Sequence, residues 1–191
     1  MFSNMSFASN GGSNNTVTLL EAKKAAIFQI VMDMKANEES PWHNKTLKIQ
    51  EPIEAYDTSD SLYSYLFNLT VDGQAAGFIE VSALKDEYPI LSFAREGSAL
   101  APSEIAELRQ KNNSRSPVFE KVVTLGPAHF GLKRDFPDGS ADIISSVETI
   151  SLSKGKNKPN PKRSINNNAR KLWRDIDLVV GDIGSPNDGG K

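Results

Sequence analysis

Cysteine is absent from all 191 residues. Thiol nucleophiles, disulfide staples and thiolate zinc sites are therefore excluded. The absence does not fix a compartment, because cytosolic proteins and proteins exported from cells that make few disulfides can both lack cysteine. Histidine is nearly as scarce. His43 and His129 are the only two, and neither sits in an H-x-x-x-H or comparable ligand spacing. No apolar run approaches the roughly 18 residues that signal a membrane-spanning helix. A phosphate-cradling loop is missing too: GDIGSPNDGG lacks the Lys-Ser/Thr of a P-loop. No internal repeat is visible. What remains is 38% hydrophobic and 24% charged, the composition of an ordinary globular protein. At this length it makes one domain, or one domain plus tails.

Charge is unevenly spread. Lys154 to Arg174 holds eight basic residues and no acid, which leaves 14 basic against 24 acidic residues elsewhere. An acidic body thus carries a basic late segment. That segment has little aromatic interleaving beyond Trp173 and no nucleic-acid-binding signature, so no nucleic-acid partner is assigned. It is rich in Pro, Asn and Lys and reads as linker. Residues 169–183, ARKLWRDIDLVVGDI, which overlap its end, have the makings of a short amphipathic helix or strand.

Residues 1–16 are mostly small and polar, without periodicity, and are expected to be disordered. Ser6-Phe7-Ala8 has the small-x-small form that precedes signal-peptide cleavage, though the basic start and long apolar region of a signal peptide are missing. Thr18 and Glu21 then make a capping box at the head of a long helix. Leu20, Ile27, Val31 and Met34 fall on one stripe, while Phe28 and Met32 face elsewhere. The helix is therefore expected to pack on a sheet and to be covered by a further element. KTLKIQEPIEAYD reads as a strand interrupted by Pro52. SLYSYLFNLTV and QAAGFIEVSA form a hairpin about Asp72-Gly73, with Tyr63, Tyr65, Phe67 and Leu69 on one face and Gly77 permitting a close approach. YPILSFAREG adds a short strand. A second helix, APSEIAELRQKN, is expected to be capped by Ser103 and to point Ile105 and Leu108 inward. PVFEKVVTLG, PAHFGLKRDF and ADIISSVETISL complete the strands.

Strands in runs with few crossover helices imply an α+β fold. The expectation is an antiparallel sheet of about six strands, with the long N-terminal helix and the second short helix packed on it and disordered termini. The domain limits are 1–16 for the N-terminus, 17–152 for the folded unit and 153–191 for a basic linker and tail.

Chemistry-bearing residues are scattered. Asp57 and Asp60, Asp86 and Glu87, Glu104 and Glu107, and Asp135 and Asp138 are acidic pairs in sequence. A glycosidase would need two carboxylates converging across a cleft, and an acid–base enzyme would need some of them beside His129. DFPDGSADI lacks the ligand order and distal Glu of a calcium loop. No catalytic, cofactor or metal residue is assigned, no cofactor is implied, and the chain is expected not to be an enzyme.

EAKKAAIFQIV, a following Trp, and LYSYLFNLTVDGQAAGFIEVSALKDEYPILSFAREGS resemble the prodomain of streptopain-type cysteine peptidases and the related inhibitor family. They are also similar to N-terminal regions of secreted C39-like bacterial peptidases. Tyr65, Phe67, Gly73, Gly77, Phe78, Ile79, Val81, Pro89, Ile90 and Gly97 carry the pattern, and VVTLGPAHFGL is similar to a downstream strand pair of the C39-like proteins. The likeness spans about residues 20–135. It implies a secreted or cell-surface bacterial module that binds and blocks a cysteine peptidase, without the peptidase domain itself. No contact residue is carried over. The competing expectation is a stand-alone surface- or ligand-binding protein using a sheet face and the basic tail.

Overall fold

The computed structural model describes residues 15–111, 115–156, 162–163 and 165–181. Most of the segment expected to be a disordered N-terminus lies outside them. Three helices and nine strands occur among the described residues: α1 (Leu19–Ala36), β1 (Leu47–Ile49), β2 (Ile53–Tyr56), β3 (Leu62–Val71), β4 (Gln74–Ser82), β5 (Ile90–Ala94), α2 (Pro102–Gln110), β6 (Phe119–Gly126), β7 (His129–Asp135), β8 (Ala141–Ser145), β9 (Thr149–Leu152) and α3 (Ala169–Val180). The fold is α+β, as expected, but the sheet is larger than six strands and is mixed. Its order is β5-β4-β3-β2-β6-β7-β8-β9, with β1 also on β3. All pairs are antiparallel except β2–β6, where Ala55 and Tyr56 run parallel to Val122 and Val123.

Two segments account for the extra strands. Pro52 cannot donate to a ladder, and KTLKIQEPIEAYD divides there into β1 and β2, which pair with successive stretches of β3. ADIISSVETISL turns back on itself at Ser146-Val147 and becomes the β8–β9 hairpin. The turn is closed by Ser145, whose amide donates to the Glu148 carbonyl and whose hydroxyl accepts from the Val147 and Glu148 amides.

Local signals act where they were read. Thr18 and Glu21 exchange capping hydrogen bonds at the start of α1. Asp72 and Gly73 take φ of 51° and 79°, the two positive values that a two-residue hairpin turn requires. Gly77 lies at φ +116°, where a Cβ would run into the Ala94 carbonyl oxygen across the ladder. Helix α2 differs at its start. Ala101 is the N-cap and Pro102 opens the helix, so Ser103 already lies inside it. Glu104 accepts the Ala101 amide at 2.5 Å, and no N-cap side chain bonds the first amides of the helix as Ser103 was expected to do.

The two faces of the sheet have separate cores. Tyr65, Phe67, Leu69, Ile79 and Val81 alternate toward α1, which meets them with Ile30 and three alanines, Ala22, Ala25 and Ala26. Alanines let the helix axis approach the sheet closely. Of the larger side chains expected inside, Leu20 is exposed and Ile27, Val31 and Met34 are half-buried. The outer side of α1 is covered by α3, where Trp173 and Ile176 join the same core. The segment set apart as linker and tail thus contains a helix packed on the body. Lys24 pairs with Asp177 at 2.5 Å and Trp173 Nε1 donates to the Glu87 carbonyl at 3.2 Å.

The opposite face is concave. Ala55, Leu66, Phe78, Val122 and Phe130 share one cluster there, with Ile105 of α2 against it, and Leu108 packs on Leu132 and Ile144. The rings of Phe78 on β4 and Phe130 on β7 meet edge to face at 6.4 Å. Four strand spacings separate these strands, about 19 Å in a flat sheet. The sheet therefore coils around this face, with α2 filling one part of the hollow.

Candidate functional site

Where β3 begins and β4 ends, the hollow is left open as a cavity of about 450 Å³ lined by Tyr63, Glu80, Glu87, Leu91, Thr124, Leu125, Gly126, Pro127 and Lys162. Strand alternation puts Glu80 there: Phe78, Glu80 and Ser82 face the hollow, while Ile79 and Val81 face α1. Glu80 is 1% exposed. Ser64 and Ser92, on the neighbouring strands, donate their hydroxyls to its Oε1 and Oε2 at 2.9 and 2.7 Å. The Ala128 amide, in the β6–β7 turn folded over the hollow, donates as well. Burial pushes the Glu80 carboxyl above its usual range. The three donors oppose that shift and nearby Glu87 adds to it.

Glu87 is equally buried but has its own counter-charge. Arg163 Nη1 donates to its Oε2 at 2.8 Å and the Ser82 hydroxyl to the same oxygen at 2.7 Å. The Arg163 guanidinium also lies 4.3 Å from the centre of the Tyr63 ring and donates to the Leu62 carbonyl. Burial, with Glu87 beside it, raises the Tyr63 phenol. Glu80 makes no ion pair among the described residues, and Lys162 stands exposed at the rim. The cavity therefore has an acidic floor, apolar walls of Leu91, Leu125 and Pro127, and, among the described residues, no enclosed cation opposite Glu80.

The residues singled out from sequence go to several places. His43 Nε2 lies 3.0 Å from the Asn37 carbonyl, beyond the end of α1. His129 does share a cleft with Glu104, Glu107 and Lys111, one of only about 170 Å³. Its Nε2 is buried without a hydrogen-bond partner among the described residues, and Glu104 is engaged in capping α2. Asp57 closes its turn by accepting the Ser59 and Ser61 amides. Asp60 bridges Lys121 and Lys133. Asp86 holds Arg170. Asp138 accepts from the Ser140 amide and hydroxyl and from Arg115, which together hold its carboxyl down at about 2. DFPDGSADI is thus a hairpin turn closed by its own side chains. Among the described residues no cluster of three or more His, Asp or Glu could hold a metal ion, and no helix is long and apolar enough to cross a membrane.

A second surface feature lies on the convex side. Phe28, Tyr88, Pro89, Ile90, Leu172 and Ile176 line a groove of about 320 Å³ between α1, α3 and the start of β5. Tyr88 and Leu172 are exposed apolar residues. β5 is the last strand in the sheet order, so its outer edge has no ladder partner among the described residues. The basic segment meanwhile has part of its charge paired: Arg163 with buried Glu87, and at the surface Arg170 with Asp86 and Lys171 with Asp175.

The residues that carry the prodomain resemblance are scaffold. Tyr65, Phe67, Ile79 and Val81 fill the core beneath α1, Phe78 fills the hollow, and Gly73 and Gly77 shape the β3–β4 hairpin. Pro89 and Ile90 differ, because they form part of the apolar groove. Comparison of the chain with protein-family models, with curated proteins and with solved structures finds no match.

Proposed function

We propose that this chain is a non-catalytic, exported module that binds a cysteine peptidase in the manner of a prodomain or inhibitor. The observation that carries the proposal is the apolar groove beside the open edge of β5. An unpaired strand edge offers a row of backbone donors and acceptors to an extended segment of a partner. The groove beside it offers pockets for that segment's apolar side chains. Binding there would block a peptidase sterically, by holding the folded body across its cleft. The sequence resemblance supplies the partner class, and Pro89 and Ile90 belong both to that pattern and to the groove.

The test is inhibition of peptide hydrolysis by papain-like, streptopain-type and C39-like peptidases at increasing concentrations of the protein. The proposal expects saturable inhibition of at least one class, weakened at least tenfold by Leu172→Asp in the groove. No inhibition and no binding across all three classes would overturn it.

Attachment to anionic surface polymers through the basic segment is the competing function. Deleting residues 154–191 would not test it cleanly, because the deletion removes Trp173 and Ile176 from the core. Charge reversal at Lys154 and Lys156, both exposed, does. Polymer binding that falls steeply with added salt and is lost on reversal would favour this function over peptidase binding.

A further inference from the structure

We infer that the cavity at the open end of the sheet's hollow is a binding site for an alkylammonium group, a short aliphatic stem ending in a primary ammonium. The inference is independent of the peptidase proposal, which concerns the opposite side of the sheet.

Three features point to this ligand chemistry. The first is the charge arrangement. Two carboxylates line one cavity, Glu80 and Glu87, and among the described residues only Glu87 has a cation paired with it. A buried carboxylate without a counter-charge is costly to ionise, and a cation entering the cavity would remove that cost. The second is the shape of the hydrogen bonding. Ser64, Ser92 and the Ala128 amide already donate to Glu80. A carboxylate has about four acceptor positions, so room remains for one further donor. A single ammonium N–H fits that better than the planar fork of a guanidinium. The third is the wall. Leu91, Leu125, Pro127 and the Tyr63 ring form an apolar passage above the acidic floor, suited to a methylene stem. A metal ion is a poorer match, since no three-residue ligand cluster exists among the described residues.

The titratable and charged groups that share the cavity with Glu80 are Tyr63 from β3, Glu87 from the β4–β5 connection and Lys162 from the segment before α3, with Asp57 of the β2–β3 turn and Arg163 acting on Tyr63 behind them. Burial raises the Glu80 carboxyl. Ammonium binding favours the ionised form and lowers it again, so binding is coupled to proton release and strengthens as pH rises through the Glu80 titration.

The source of the ammonium can be a free small amine or a lysine side chain on another protein. The experiment uses n-pentylammonium chloride, with 1-pentanol and tetramethylammonium chloride as controls, and Nα-acetyl-lysine methylamide beside its norleucine analogue. Binding is followed by NMR shift perturbation of the wild type and Glu80→Gln at pH 5 and pH 8. Saturable binding of pentylammonium is expected, tighter at pH 8, weakened at least tenfold in Glu80→Gln, and absent for pentanol and tetramethylammonium. The lysine derivative binding more tightly than pentylammonium would identify a protein side chain as the source. Equal or weaker binding would identify a free amine. Should Glu80→Gln fail to fold, the side-chain carboxyl ¹³C titration of Glu80 in the wild type decides instead, because pentylammonium must move it to lower pH. An unmoved titration, undiminished binding in Glu80→Gln, or equal binding of pentanol overturns the inference.

Discussion

Replacing Trp173 by alanine should unfold the whole domain more easily, not merely loosen its C-terminal helix. Trp173 is 6% exposed and shares a core cluster with Ala22, Ala25, Ala26 and Ile30 of α1 and with Phe67 and Ile79 beneath them. A buried tryptophan removes about 200 Å² from water, worth about 5 kcal/mol at about 25 cal/mol per Å². Partial collapse of α3 onto α1 reduces the loss, and measured Trp→Ala changes in cores cost about 3–5 kcal/mol. The Glu87 carbonyl also loses the indole N–H that donates to it at 3.2 Å. In a domain of this size about 1 kcal/mol lowers Tm by about 2–4 °C, so Trp173→Ala should lower Tm by about 6–20 °C. Urea and thermal unfolding, read by far-ultraviolet circular dichroism and tryptophan fluorescence from Trp42, measure it. Leu178→Ala is the control. Leu178 is 82% exposed on the same helix and should change stability by less than about 0.5 kcal/mol. If Trp173→Ala leaves the main transition unmoved, α3 is not part of the cooperative unit. The apolar groove it helps to line would then not be preformed.

Gly77→Ala should cost more than Gly73→Ala in the same unfolding assay. Both have positive φ, but only at Gly77 does a Cβ meet backbone, the Ala94 carbonyl, so about 1–3 kcal/mol of strain adds to a collision that breaks the β4–β5 contact. Asp33→Asn should cost about 1.5–3 kcal/mol at neutral pH. Burial opposes the Asp33 charge, but Arg95 and Ser40 outweigh it and hold the carboxyl below its usual range. That stability is present above the unfolded-state pKa and is lost as pH falls through the folded one. The difference between wild type and variant should therefore shrink in acid. Glu80→Gln should behave in the opposite sense. The raised Glu80 carboxyl makes the wild type lose stability as pH rises from the unfolded-state pKa through the folded one. The variant should gain relative to wild type over that interval and lose the advantage below it. A pH series of thermal melts checks both slopes.

The features legible in the sequence are those fixed over a few residues. Thr18 and Glu21 are three apart and cap α1. Asp72-Gly73 turns the hairpin because its φ values are positive whatever surrounds it. Leu108 points inward from α2. Elsewhere the sequence signal and the packing diverge for physical reasons. The inner face of α1 is alanine, because small residues bring a helix close to a sheet, and the larger Leu20 and Ile27 that suggested the stripe lie toward its margins. The Ser146-Val147 turn has no Gly or Pro to announce it. The parallel β2–β6 pair joins residues 55–56 to 122–123, a long-range match that no local pattern encodes. The cavity is the extreme case: Tyr63, Glu80, Thr124 and Lys162 meet only because the sheet coils. One signal was available. In Phe78-Ile79-Glu80-Val81-Ser82, strand alternation puts a carboxylate on the same face as Phe78, and an acid on a core-facing strand position marks a site worth attention.

Binding of the full chain to a streptopain-type peptidase inactivated by replacing its nucleophilic cysteine with alanine, which leaves the cleft open, tests the functional proposal most directly when followed by biolayer interferometry. The expected result is saturable binding by the wild type and a loss of at least tenfold in affinity for Tyr88→Asp/Leu172→Asp, with that variant's melting transition intact. Binding unaffected by the two substitutions, or no binding to streptopain-type, C39-like or papain-like peptidases, would contradict it.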